Sequence, residues 1–156
     1  MASRTSRTTP NIYDNRDNGA LSSLNILKNN IGIEQAQAFI KIKQKKRMIT
    51  LCGLKGDETE LDLSGKMSGA EDVLMLAEDI KDNRAMSKLT IGDSVTPAIL
   101  ELGMTEGNFS NAGLGTGGAI ILASWIEHKD NWSMSILNVS NNNIGAEGAK
   151  ALVPAM

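Results

Sequence analysis

The sequence predicts an α/β fold built as an array of strand–turn–helix units. Three observations predict it. In Leu21 to Ala38, Leu21, Leu24 and Ile26 are apolar at strand spacing, and Ile33, Ala36, Phe39 and Ile40 follow at helical spacing, with Asn29, Ile31 and Gly32 between. The same unit returns near the other end, where LNILKNNIGIEQAQA (Leu24 to Ala38) answers to LNVSNNNIGAEGAKA (Leu137 to Ala151). The offset of 113 residues (137 − 24) is close to four repeats of about 28, inside the usual range for such arrays. Unrelated strand–helix units would have no reason to share an Asn-x-Ile-Gly-x-Glu junction.

Composition sets the bounds. One domain fits in 156 residues, and 41% hydrophobic residues suffice for a core. With aromatics at 3%, that core must be mostly Leu, Ile, Ala, Val and Met. A net charge of −2 gives no bias toward nucleic acid or acidic lipid. One cysteine, Cys52, excludes an internal disulfide, and with the single His128 it is too little for a structural zinc site. No apolar run is long enough to span a membrane. The expected location is intracellular and cytoplasmic, and the N-x-S sequons at Asn108, Asn131 and Asn138 are read as chance.

The elements follow in order. Residues 1–18 are polar, with Arg4, Arg7 and no acid before Asp14, and are expected to form a flexible tail. An organelle-import peptide and an arm that orders on a partner are the alternatives. The repeat domain is placed at 19–156. A turn at Asp17-Asn18-Gly19 leads into the strand Leu21–Ile26 and a helix from about Ile33 to Lys46. That helix ends in Lys41, Lys43, Lys45, Lys46 and Arg47, expected to stay solvated and favoured by the helix dipole rather than to bind phosphate. Residues 50–59 break the pattern and are read as an insertion of about one short strand. Leu61 and Leu63 point inward from the next strand, and Ala70–Lys81 forms a helix with Val73, Leu74, Ala77 and Ile80 on one face. Glu71, Asp72, Glu78 and Asp79 are expected mostly outward. Met86, Leu89 and Ile91 repeat the strand spacing.

From 92 to 112 the pattern weakens, and Ala98 to Leu102 leaves room for a helical turn or two. Met104, Phe109 and Leu114 mark a degenerate unit in which Gly107 stands where a Leu is expected. A helix follows at Ala119–Glu127, and Met134, Leu137 and Val139 make the final strand before a last helix.

Few motifs suggest chemistry. Gly113-x-Gly115-x-x-Gly118 has the spacing of a dinucleotide-binding turn, but no β-branched strand precedes it and no acid lies about 20 residues on. Its glycines align with Gly145 and Gly148 of the last unit, so the repeat explains them. His128 reads as a surface residue at a helix end, and Cys52 as a small core residue. Glu60 and Asp62 occupy exposed positions between inward leucines, where a solvated or partner-facing role outweighs acid–base work. Asn29 and Asn142 are expected to bond backbone groups of their own and neighbouring turns.

The unit Met134-x-x-Leu137-x-Val139-x-x-Asn142-x-Ile144-Gly145-x-Glu147-Gly148-Ala149-x-Ala151-Leu152 resembles the ribonuclease-inhibitor-like class of leucine-rich repeats, and Leu21 to Ala38 matches it except for Gln35 in place of Gly. The resemblance implies a leucine-rich-repeat solenoid of about four to five repeats, a short curved horseshoe with parallel strands on the concave face and helices on the convex face. It implies protein binding by the concave face and its rim, and the lack of a catalytic constellation in the sequence adds the expectation of no catalysis, cofactor or metal. In such a stack the strand residues between the leucines form one surface. The partner-facing candidates are Ser23, Asn25, Leu27, Glu60, Asp62, Lys88, Thr90, Asp93, Ile136 and Asn138, with Trp132 as an exposed anchor. Their mixed charge favours protein partners over nucleic acid, which would call for a basic stripe, and no small-molecule substrate is expected. Two other functions remain open. One is a structural subunit of a larger complex whose neighbours cap the open ends; the other is a GTPase regulator resembling the Ran activator.

Overall fold

A computed structural model describes residues 19–67, 69–128 and 133–156. Among them the chain is a mixed α/β structure with four α-helices: α1 (Ile33–Lys46), α2 (Ala70–Asp82), α3 (Gly115–Glu127) and α4 (Gly145–Leu152). Five short strands accompany them: β1 (Glu60–Asp62), β2 (Lys88–Ile91), β3 (Ala98–Glu101), β4 (Glu106–Asn108) and β5 (Ile136–Asn138). Residues 1–18, expected to be a flexible tail, and Trp132 lie outside the described residues. No described helix is long and apolar enough to cross a membrane.

Helix boundaries follow local chemistry. α1 ends at Arg47, which turns left-handed (φ 54°) and donates its N–H to Gln44 O and Lys43 O. α3 begins at Gly115, four residues before the apolar pattern, because small residues are needed there. A Cβ on Gly118 would lie 2.9 Å from Leu114 Cβ, and one on Gly148 would lie 2.9 Å from Ala119 Cβ. Gly148 allows the close approach of α4 to α3, while Gly118 makes room for Leu114 at the start of its own helix. The helices pack in chain order, α1 on α2, α2 on α3 and α3 on α4.

The strands do not form a single parallel array. β1 and β2 pair in parallel (Glu60↔Lys88, Asp62↔Thr90), and so do β4 and β5 in a second sheet (Glu106↔Ile136, Asn108↔Asn138). β3 runs antiparallel to β2 (Lys88↔Glu101, Ile91↔Ala98). The helical turn expected at Ala98–Leu102 is therefore a strand. Asp93 Oδ1 accepts the N–H groups of Val95 at 2.9 Å and Thr96 at 2.6 Å, which folds the chain back. Pro97 opens the segment, and period-two burial then holds Ala98 and Leu100 inside with Ile99 and Glu101 outside.

Residues 50–59 are not simply an insertion. Thr50 and Cys52 form bridges with Ser23 and Asn25, and Leu24 N–H donates to Thr50 O at 3.1 Å, so this stretch is the neighbour of the first strand segment.

The core lies between strands and helices. Leu51, Met75, Ile80, Met86, Leu89, Ile91, Leu100, Ile121, Leu122 and Trp125 are sealed from solvent within it. The odd Gly107 is accounted for by Phe109: a Cβ at 107 would meet the Phe109 ring at 2.7 Å, so the aromatic ring fills the space of the absent leucine.

Candidate functional site

Strand alternation sends Leu61, Leu89, Leu100 and Leu137 toward the core and leaves the residues between them on the opposite face. On β1, Glu60 and Asp62 are exposed. Beside them on β2, Lys88 and Thr90 are half-buried, and Lys88 Nζ lies 3.5 Å from Glu60 Oε2. On β5, Ile136 and Asn138 are exposed, as are Ser23 and Asn25 in the first strand segment. Eight of the ten described candidates (Ser23, Asn25, Glu60, Asp62, Lys88, Thr90, Ile136, Asn138) thus sit where the alternation puts them.

The other two are corrected. Leu27 is half-buried and packs against the core, because the chain has left the extended conformation and turns there. Asp93 lies in the turn after β2, where its carboxylate organises the β2–β3 connection rather than facing outward from a strand. Those backbone N–H bonds, Thr96 first, hold its carboxyl below the usual carboxylate range. Asp62 is held low by Ser64, whose hydroxyl and N–H donate to Oδ1 at 2.6 and 2.9 Å.

Residues missed from the sequence extend this face. Directly paired strand residues share a side, so Ile99 joins Thr90, Glu101 joins Lys88, and in the second sheet Glu106 joins Ile136 and Asn108 joins Asn138. The alternation Glu106-Gly107-Asn108 was the available signal, obscured by the glycine. With Glu60, Asp62, Glu101 and Glu106 against Lys88, the strand faces carry a net −3 (1 − 4).

Behind this face lies a buried polar bracket that sequence reasoning read as solvated. Lys43 is 1% exposed and its ammonium contacts Asp79 at 2.8 Å and Asp82 at 2.7 Å. The Asp79 carboxylate also accepts the N–H groups of Leu51 and Cys52, each at 3.0 Å, and the Thr50 hydroxyl. One carboxylate therefore joins α1, α2 and the segment 50–52. Burial alone would lower the Lys43 pKa, but hydrogen bonds and charge from Asp79 and Asp82 outweigh it and raise the value. Asp72, expected outward like Asp79, is also buried and accepts the Lys28 N–H at 3.1 Å. Cys52 is buried as expected, and burial with the nearby Asp79 charge pushes its thiol pKa far up, which makes it a poor nucleophile.

His128 is not a surface residue. It is 3% exposed, stacks on Trp125 with ring centroids 6.2 Å apart, and its Nε2 lies 3.0 Å from Asn83 O. The ring thus pins the end of α3 to the end of α2.

Two of the clefts formed by the described residues lie at helix ends. One of about 400 Å³ lies between the first turns of α2 and α3, with Val73, Leu114 and Ile120 on its walls. The other, of about 350 Å³, lies where α1 and α2 end, between Arg47 and Arg84. The glycines of the dinucleotide-like motif serve packing and the first cleft: Gly118 abuts Leu114, while Gly113 lines the cleft. Among the described residues, no three His, Cys, Asp or Glu side chains are grouped closely enough to hold a metal ion.

Compared with known proteins, the chain matches no family model, no curated protein and no solved structure.

Proposed function

We propose that this chain is a leucine-rich-repeat solenoid and that it acts as a non-catalytic protein-interaction module through its strand face. The repeat reading is supported by three parallel pairings of similar offset: 27 for Ser23↔Thr50 (50 − 23), 28 for Glu60↔Lys88 (88 − 60) and 30 for Glu106↔Ile136 (136 − 106). It is supported also by Asn142, whose side chain bonds both its own turn and the neighbouring one. Nδ2 donates to Phe109 O at 2.7 Å and Val139 O at 2.9 Å, and Oδ1 accepts Ala112 N–H at 2.9 Å.

The observation that carries the function is the exposed face itself. Alternate strand residues seal the core, while their neighbours present Glu60, Asp62, Glu101, Glu106, Asn108 and Asn138 to solvent without assembling a nucleophile, a base and an oxyanion site. Net negative charge on that face disfavours nucleic acid and suits a protein partner that offers basic side chains. The test is quantitative affinity capture from a protein extract with the wild type and with Glu60→Lys/Asp62→Lys. Both positions are exposed, so the variant is expected to stay folded, melting somewhat lower because the Asp62–Ser64 bonds are lost, and to lose the specifically captured proteins. Equal capture by both would refute the role of this face.

A further inference from the structure

We propose that copies of this chain associate head to tail, the first strand segment of one copy adding in parallel to β5 of the next. This surface is the pair of strand edges to which no described residue pairs, separate from the strand face above, so either proposal can fail alone.

The two asparagines of the repeat carry the argument. Asn142 joins two layers: Nδ2 reaches Phe109 O in the preceding layer, and Oδ1 accepts Ala112 N–H and Leu114 N–H there. Asn29 occupies the same place 113 residues earlier (142 − 29), is exposed, and among the described residues bonds only its own turn, Nδ2 to Ile26 O at 2.9 Å and Leu27 O at 3.1 Å. No described residue fills its interlayer half. The complementary half stands on the last unit, where Val139 O, Asn142 N–H and Ile144 N–H occupy the positions of Phe109 O, Ala112 N–H and Leu114 N–H.

The strand edges match in the same register. Leu24 N–H donates inward to Thr50 O, and Ser22 O accepts inward from Ile49 N–H. Strand geometry then turns the peptide groups of Ser23 and Asn25 outward. On β5, Ile136 N–H donates to Thr105 O and Asn138 O accepts from Phe109 N–H, so those of Leu137 and Val139 point away from β4. Carrying the β4–β5 pairing forward by one layer sets Ile136 beside Ser23, Leu137 beside Leu24 and Asn138 beside Asn25.

Apolar surface follows the same match. A groove of about 290 Å³ opens along β5 between Ile126, Met134, Leu137 and Ala155. Leu21, 45% exposed at the opposite end, falls opposite Met134 in this register. One contact opposes tight stacking. Gln35 stands at the α1 position of Gly148, whose lack of a side chain lets α4 approach Ala119. The helices of two copies therefore meet less closely than α3 and α4, and the association is reversible. Because the contact is heterologous and does not close, assembly is open-ended.

The test is analytical ultracentrifugation from about 1 μM to about 1 mM, the range in which modest interfaces register. Wild-type weight-average mass is expected to rise steadily with concentration, and Gln35→Gly to shift that rise to lower concentration. Leu21→Asp blocks the head and Ala155→Arg blocks the tail, each weakening self-association on the order of tenfold or more. Mixed, they should yield a 1:1 dimer that neither forms alone, because one keeps an intact tail and the other an intact head. Ser23→Pro removes an outward N–H without touching the inward ladder and repeats the head block should Leu21→Asp melt early. A wild type that stays monomeric across the range, or blocked variants that fail to pair while the wild type associates, would overturn the proposal.

Discussion

Asp79 shows how much one side chain can hold. It neutralises a lysine that is 1% exposed and accepts backbone N–H groups from a segment with no helix of its own. Asp79→Ala leaves that ammonium in the interior with only Asp82, whose side chain is half exposed, as a partner. Removing one partner of a buried pair costs about 3–5 kcal/mol, and urea denaturation should find a loss of that order. Lys43→Met is expected to cost less than Asp79→Ala, since Asp79 keeps its backbone donors. The same pair sets a pH dependence. The folded pKa of Lys43 is raised above the ordinary 10.5, so its contribution is complete below that value and lost as pH climbs through the raised one. Stability should therefore fall in the alkaline range above about pH 10, and Lys43→Met should flatten that limb. Cys52 offers a simpler check: a buried thiol with a raised pKa should resist alkylation at neutral pH until the protein is unfolded.

At the scale of elements, the junction between units outweighs the content of any one. Asn142→Ala deletes an amide that bonds five backbone groups in two turns and strands buried partners such as Ala112 N–H and Phe109 O. A cost of about 2–3 kcal/mol is expected, against under about 1 kcal/mol for Asn29→Ala, whose bonds are exposed. Chemical denaturation of the two variants side by side measures the difference; equal losses would show that the interlayer bonds contribute little. Gly107 makes a second case. Restoring a side chain there with Gly107→Ala should destabilise by about 1–3 kcal/mol, because the Phe109 ring already holds the space and must move. The repeat pattern alone would forecast a gain from that change.

Across the whole molecule, burial is uneven. α2 and α3 each bury seven residues, whereas α1 buries only Ala36 and Lys43, and α4 only Gly148 and Leu152. Local opening is cheapest where few apolar contacts must break. Native-state hydrogen exchange should show slowest exchange in α2 and α3 and faster exchange in α1 and α4. A flat profile would mean that the end units are held as firmly as the centre. If copies stack head to tail, protection of the Leu137 and Val139 amides should rise with protein concentration while α2 stays unchanged.

The sequence by itself determined what depends on periodicity. The limits of α1, the inward leucines of β1, β2 and β5, the exposed positions of Glu60, Asp62, Ile136 and Asn138, and the backbone-bonding role of Asn142 all follow from spacing, because alternation and helical repeat are local properties of the chain. Tertiary structure alone decided where the pattern broke. Ala98–Glu101 became a strand because Asp93 folds the chain onto β2; Phe109 filled the place of Gly107 from two residues away; and Asp72 and Asp79 turned inward because backbone donors in other units needed an acceptor. Lys43 followed Asp79, and His128 was buried by packing on Trp125 and Asn83. A polar residue is read as solvent-facing until its partner is in view. Apart from Trp125, three residues before His128, those partners lie about 30 to 45 residues away in sequence, and only the folded chain brings them into contact.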